Sequence, residues 1–174
     1  KEKHHDIYRP NQDFAHQGHR EMAQLRTDRA AGIWFCRRPR VHAYPMKFAG
    51  YAALFGTPDA AHDIVIPGAF RRSLADRSDP LPLFWQHRAD QQIGWIETAR
   101  EDDRGLRITA QIDNPKGRAA SMLASREVDG LSFGYRARRF RREGSGRTLE
   151  AIDLFEVSLV THPLQHDARV HLII

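Results

Sequence analysis

The chain has 174 residues, of which 41% are hydrophobic and 28% are charged, and its formal net charge at pH 7 is +5. These values predict one soluble globular domain of ordinary size with an appended arm. No apolar run approaches the roughly 20 residues that a membrane-spanning helix needs, so we expect no membrane partner. The single cysteine, Cys36, excludes an internal disulfide bond.

The N-terminal quarter of the chain differs in composition from the rest. Residues 1–45 are rich in His, Arg and Gln and show little aliphatic periodicity. This composition predicts a polar arm that is partly disordered or loosely docked, and residues 46–174 are predicted to form the folded domain. A metal site built from the arm's histidines is disfavoured because no cysteine or acidic arrangement completes it. We therefore expect no metal, and because the sequence contains no phosphate-cradling loop we expect no organic cofactor either.

Apolar periodicity predicts the first elements of the domain in chain order. A strand that closes in a turn is predicted over KFAGYAALFG (47–56), and a short β-branched strand within HDIVIPGAF (62–70). A helix is predicted over AFRRSLADR (69–77), whose apolar residues share one helical face. The alternation in LPLFWQH (81–87) predicts a strand along that whole segment.

The middle of the domain contains a predicted hairpin and the strongest predicted helix. The hairpin joins QIGWIETAR (92–100) to LRITAQID (106–113), with Gly105 expected to take a positive φ in the turn. The helix is predicted over residues 115–128, because Pro115 is tolerated near a helix start and an approximate apolar stripe follows.

Two long strands, LSFGYRARRF (131–140) and TLEAIDLFEVSLV (148–160), complete the predicted sheet. A sheet made mostly of hairpin-connected strands must bury its faces or close on itself. We therefore predict a mainly β (α+β) fold, an antiparallel β-barrel of about six to seven strands with flanking α-helices.

The segment GLSFGY (130–135) places a serine within an apolar strand. Strand alternation puts Ser132 and Gly134 on one face. A glycine beside Ser132 leaves that face open for the approach of another backbone, as a peptide substrate would require. Ser132 is therefore a candidate nucleophile, and the alternative is a serine that the strand merely tolerates.

His87 ends the segment LPLFWQH and is predicted to share a face with Leu83 and Trp85, at the rim of the core. Because the unperturbed pKa of histidine is near 6.5, His87 is a natural general base at neutral pH. The alternative is a core or surface histidine with a satisfied hydrogen bond.

Glu156 lies in the middle of a strand whose two faces are both apolar. Burying an unpaired charge costs several kcal/mol, so Glu156 needs a partner or a proton. One partner would be a histidine that Glu156 orients and whose imidazolium it stabilises, and the other would be one of the many arginines. Ser158 lies on the same face as Glu156 and is interpreted as structural.

The segment RARRFRREGSGR (136–147) carries six arginines and one glutamate. A charge run of this kind is typical of a solvated strand end and loop. The alternative is a surface that binds nucleic acid through the phosphate backbone.

Together these stretches resemble the prohead (capsid maturation) proteases of tailed phages and gene transfer agents, which are distantly related to the herpesvirus assemblin proteases. The resemblance covers about residues 46–170 in the family's order and leaves residues 1–45 outside. It rests on GYAALFG (50–56), DIVIPGAF (63–70), LPLFWQH (81–87), IGWIETAREDDRGLRITAQI (93–112), DGLSFGY (129–135) and IDLFEVSLVTHP (152–163).

The resemblance implies a role for each of the three flagged residues. It implies Ser132 as the nucleophile, His87 as the general base and Glu156 as the acidic residue that orients the histidine. Assemblins use a second histidine as third member, so His162 and His166 are alternatives to Glu156.

The resemblance also implies an activity, a substrate and a location. A serine endopeptidase would cut the scaffolding segment of the major capsid protein, and itself, inside the assembling prohead in the host cytoplasm. Assemblins imply a homodimer. The alternatives are a catalytically inactive capsid-assembly or scaffold component and a basic nucleic-acid-binding barrel.

Overall fold

The computed structural model of the chain describes residues 44–174. The predictions made for the polar arm and its histidines lie outside these residues. Within them the elements are β1 (Met46–Leu54), β2 (Asp63–Val65), α1 (Arg71–Ala75), β3 (Leu81–Trp85), β4 (Arg88–Glu101), β5 (Gly105–Ile112), α2 (Arg118–Ala124), β6 (Gly130–Glu143), β7 (Gly146–Val160) and β8 (Val170–Ile173).

The strands form one curled half-barrel sheet in the order β2-β7-β3-β4-β5-β1-β8, and β6 pairs with the other edge of β7. This architecture confirms the predicted mainly β fold with flanking helices. The described residues hold eight strands, and the pairings of β2 and β3 with β7 are parallel. Both pairings join segments far apart in sequence, so the alternation within each strand did not indicate them.

Strand β7 is hydrogen-bonded along both of its edges. One edge pairs with β6, and the other meets β2, then α1, then β3 in succession. Between the two parallel partners, Ile152 N–H donates to the Ala69 carbonyl at 3.0 Å and Leu154 N–H donates to Ser73 Oγ at 2.8 Å. The backbone of β7 thus stays satisfied along the edge that has no strand partner between β2 and β3, as a buried strand requires.

A short segment near the chain's last strand links the two sides of the curled sheet. Leu131 N–H on β6 donates to the Ala168 carbonyl at 2.8 Å, and Tyr51 N–H on β1 donates to the Arg169 carbonyl at 3.1 Å. A Cβ at Gly50 would collide with the Arg169 carbonyl, so the glycine permits this close approach.

Two local predictions differ from the structure. Gly105 does not take a positive φ; a Cβ there would collide with the backbone of Ala53 on β1, so close packing accounts for the glycine. The helix predicted over residues 115–128 is shorter and ends at Ala124.

Within the described part of the chain, no helix is long and apolar enough to cross a membrane.

Candidate active site

His87 lies in the two-residue turn that joins β3 to β4, and not on a strand as predicted. Gln86 and His87 have φ values of 53° and 58°, and the flanking residues Trp85 and Arg88 pair with each other. Two successive positive φ values are those of a type I′ hairpin turn, which usually contains Asn or Gly. Because neither residue type stands here, the segment resembled a continuing strand.

The turn is held against the end of β7 by two backbone N–H groups, one bonded to a carbonyl and one to a serine hydroxyl. Gln86 N–H donates to the Leu159 carbonyl at 3.0 Å, and His87 N–H donates to Ser158 Oγ at 3.1 Å. A left-handed conformation costs a residue with a side chain about 1–2 kcal/mol. Such strain persists where surrounding contacts fix the backbone, and it concentrates at functional sites.

His87 and Glu156 form a close pair. His87 Nδ1 lies 2.6 Å from Glu156 Oε1, and the side chains are 38% and 4% exposed. Because a carboxylate only accepts hydrogen bonds, Nδ1 is the donor in this pair, and Nε2 is the ring nitrogen that Glu156 does not contact. Of the two partners considered for Glu156, the described residues contain the histidine, and none of their arginines bonds the Glu156 carboxylate.

Ser132 lies on β6, directly opposite Ser158 of β7. Opposed residues of an antiparallel pair share a face, with Cα atoms about 4.5–5.5 Å apart. Ser132 and Glu156 thus share one face of the β6–β7 pair. The Ser132 side chain is buried, and the hydrogen bonds that the structure gives His87 run to Glu156 and Ser158 and not to Ser132.

Gly134 serves a purpose different from the predicted one. It pairs with Glu156 across β6 and β7, and a Cβ at position 134 would lie 2.6 Å from Glu156 Oε1. The missing side chain therefore makes room for the buried carboxylate. The space over the glycine is not left open for a substrate backbone.

The structure joins neither alternative histidine to His87 or Glu156 by a hydrogen bond among the described residues. His162 and His166 follow the end of β7 and are exposed. His166 Nδ1 lies 3.0 Å from Oδ1 of its neighbour Asp167. The described structure contains no hydrogen bond between either histidine and His87.

Two further residues organise the site, and the sequence reasoning assigned neither to it. Ser158, interpreted as structural, donates to Glu156 Oε2 at 2.7 Å. Gln86 Oε1 accepts a hydrogen bond from Thr161 N–H at 3.3 Å. Alternation already placed Ser158 on the face of Glu156, but nothing in the sequence marked Gln86.

The arginine-rich hairpin end of β6 and β7 is exposed and largely neutralised within the chain. Four of its six arginines form ion pairs with carboxylates, which favours a solvated face over an anion-binding surface. The pairs are Arg138–Asp153, Arg139–Glu150, Arg141–Glu150 and Arg147–Asp63. The described residues contain no cluster of three or more side chains suited to a metal ion.

Sequence comparisons confirm the resemblance. The family described as caudovirus prohead serine protease matches residues 38–174. The chain is 29% identical over 130 residues to the prohead protease of Enterobacteria phage HK97, covering 71% of this chain and 58% of that protein. It is 31% identical over 125 residues to the capsid polyprotein of Pseudomonas phage PAJU2, covering 66% of this chain and 18% of that protein.

A comparison with solved structures confirms the assemblin-like fold. The structure of KSHV protease in complex with a hexapeptide phosphonate inhibitor superimposes with a TM-score of 0.51 at 18% identity, covering 75% of this chain and 65% of that chain. The chain thus spans less than two thirds of the length of the proteins it matches. Because the family's sequence pattern extends from residue 38 to residue 174, the chain belongs to the caudovirus prohead serine protease family.

Proposed function

We propose that the chain is a serine endopeptidase of capsid maturation, with Ser132 as nucleophile, His87 as general base and Glu156 as the residue that orients His87. The observation that carries the proposal is the His87–Glu156 pair, 2.6 Å between Nδ1 and Oε1, beside the strand that bears Ser132. Family membership supports the same reaction class.

The reaction uses the free nitrogen of the imidazole. Nε2 takes the proton from Ser132 Oγ as Oγ bonds to the scissile carbonyl carbon, and Glu156 stabilises the resulting imidazolium. The tetrahedral intermediate expels the amine, which receives that proton from Nε2. Water then attacks the acyl-enzyme, losing a proton to Nε2, and the proton returns to Ser132 Oγ as the acid product leaves.

Glu156 is a better third member than His162 or His166. Its carboxylate is buried and already bonded to Nδ1 of His87, which is the arrangement that fixes the tautomer and orientation of a catalytic base. The two histidines are exposed beyond the end of β7.

The proposed substrate is the scaffolding segment of the major capsid protein, together with the protease's own chain, and the proposed location is the assembling prohead in the host cytoplasm. The similarity to a capsid polyprotein and to a prohead protease supports this substrate and location. We also propose a homodimer, and sedimentation showing only monomer at active concentrations would contradict it.

The first test is co-expression with the major capsid protein from the same genomic neighbourhood, followed by intact mass measurement of that protein. The wild type is expected to shorten it, and Ser132→Ala to reduce cleavage by several orders of magnitude because the nucleophile is lost. Ser145→Ala is the matched control, since it removes an exposed serine from the β6–β7 turn and should leave cleavage unchanged.

Cleavage that persists in Ser132→Ala would contradict the assignment of the nucleophile. A full-length capsid protein with every variant would favour an inactive scaffold component of the same fold.

A further inference from the structure

The hydroxyl of Ser158 contacts both partners of the His87–Glu156 pair. Its Oγ lies 2.7 Å from Glu156 Oε2 and accepts the backbone N–H of His87 at 3.1 Å. The side chain is fully buried in β7, directly opposite Ser132 on β6. The hydroxyl of Ser158 therefore bonds both the carboxylate that orients the base and the turn that bears the base. It does so from the strand that pairs with the one carrying the nucleophile.

The chemistry of the groups determines the direction of both hydrogen bonds. A serine hydroxyl has one proton to donate and lone pairs to accept, whereas an ionised carboxylate only accepts. The hydroxyl proton therefore goes to Glu156, and the lone pairs receive the N–H of His87. Glu156 accepts one bond on each oxygen, from Ser158 on Oε2 and from His87 on Oε1, so its plane is fixed from both sides.

We infer that Ser158 is a positioning residue, which holds the Glu156 carboxylate and the left-handed backbone of His87 in the geometry that the base requires. This inference rests on the proposed function of His87 and Glu156. Ser158 does not act as a second nucleophile, because its proton is committed to Glu156 and its side chain has no exposed surface.

The location of the two bonds explains why one hydroxyl would matter. His87 and Gln86 both have positive φ, so the turn depends on bonds to β7 to stay in place. Loss of the Ser158 hydroxyl leaves Glu156 Oε2 and His87 N–H without these partners. A displacement of about 1 Å in a catalytic group costs on the order of 100-fold in rate.

The experiment compares three substitutions of Ser158 with one matched control. Ser158→Ala and Ser158→Cys remove the strong donor, and cysteine nearly preserves the shape in case the alanine variant does not fold. Ser158→Thr keeps the hydroxyl. The control, Ser73→Ala, removes another hydroxyl that holds β7, through Leu154 N–H at 2.8 Å, but that does not contact the pair.

Cleavage kinetics on a peptide taken from the mapped cut site provide the first measurement. We expect kcat to fall about 10- to 100-fold in the alanine and cysteine variants with KM nearly unchanged. The threonine variant should recover most of the loss, and Ser73→Ala should retain wild-type kcat. Equal kcat in Ser158→Ala, Ser158→Cys and Ser73→Ala would overturn the inference.

A second measurement does not depend on activity. In the Ser132→Ala background, proton NMR of the His87 imidazole should show a downfield Nδ1–H resonance from the bond to Glu156. We expect this resonance to shift and exchange faster in Ser158→Ala and to stay unchanged in Ser73→Ala. An unchanged resonance in every Ser158 variant would overturn the inference. A shifted resonance, when the wild type with Ser132 intact cleaves nothing, would support the inference and reject the proposed function.

Discussion

At the scale of single residues, the position of the buried Glu156 carboxylate is determined by its hydrogen-bond partners and by the glycine opposite it on β6. Ser158 and His87 bond its two oxygens, and Gly134 lies beneath it across the β6–β7 pair. Its side chain is 4% exposed, and a buried charge is tolerated when it is paired and fully bonded. Each neighbour of Glu156 therefore contributes either a hydrogen bond or space.

The contribution of Gly134 is testable by adding one methyl group. Gly134→Ala places a Cβ 2.6 Å from Glu156 Oε1, so the carboxylate must leave the position in which it contacts His87. We expect cleavage to fall on the order of 100-fold and the free energy of unfolding to fall by about 1–3 kcal/mol from overpacking. Peptide cleavage and urea unfolding measure the two effects.

A double-mutant cycle controls for other effects of the methyl group. In a Glu156→Ala background the colliding carboxylate is absent, so Gly134→Ala should cost less unfolding free energy than in the parent. Unfolding is measured in the Ser132→Ala background, which excludes the proposed self-cleavage. An equal cost in both backgrounds would mean that the glycine is needed for another reason.

Local physics located the members of this cluster but not their arrangement. A carboxylate in an apolar strand predicted a partner, and that partner was either a histidine or an arginine until β3 was placed beside β7. The same reasoning misjudged Gly134, because alternation identifies the face of a residue and not the side chain that crosses to it from the next strand.

At the scale of elements, α1 is held in place by a carboxylate from another element. The helix has five residues and no side-chain cap of its own. Glu101 at the end of β4 accepts the N–H of Gly68 at 3.0 Å and that of Phe70 at 2.8 Å. Since Ala69 and Ser73 bond the edge of β7 between β2 and β3, the Glu101 bonds connect this part of the structure to the end of β4.

Replacement of Glu101 should therefore destabilise the fold. Glu101→Ala leaves two backbone donors without their acceptor, and we expect a loss of about 1–3 kcal/mol in unfolding free energy. Glu97→Ala on the same strand is the control, because it removes an exposed ion pair with Lys47 worth less than about 1 kcal/mol. Urea unfolding of both variants measures the difference, and equal losses would assign Glu101 no anchoring role.

Strands were predictable where apolar and polar residues alternate along the sequence. The turn at Gln86 and His87 was not predictable, because it contains no glycine. The strands β1, β5, β6 and β7 follow the predicted segments closely. The turn at His87 did not follow the prediction. Its two residues adopt positive φ values, but neither is a residue type that marks such a turn in a sequence. Its conformation depends on hydrogen bonds to β7, which are tertiary contacts.

At the scale of the whole molecule, His171 on β8 lies where several parts of the fold meet. Its ring packs against Tyr51 of β1 at a centroid distance of 5.5 Å, and the guanidinium of Arg104 lies 5.0 Å from the centre of the Tyr51 ring. Desolvation, together with the positive charges of Arg104 and Arg126, holds the pKa of His171 below its usual value of 6.5, against the opposing charge of Asp129.

This lowered pKa predicts a loss of folding stability in mild acid. As pH falls through 6.5 toward the lower pKa of the folded state, the unfolded chain binds a proton on His171 that the folded chain does not, so unfolding is favoured. Above pH 6.5 the imidazole is neutral in both states and contributes no pH dependence. Replacement by phenylalanine keeps an aromatic ring against Tyr51 and removes the titration.

The measurement is the unfolding free energy of the parent and of His171→Phe between pH 8 and pH 5, both in the Ser132→Ala background. The difference between the two proteins should be constant above about pH 6.5, the unperturbed histidine value, and should move in favour of His171→Phe below it. Other histidines titrate equally in both proteins and cancel in the difference. A difference independent of pH would show that the cations near His171 do not oppose its protonation in the folded state.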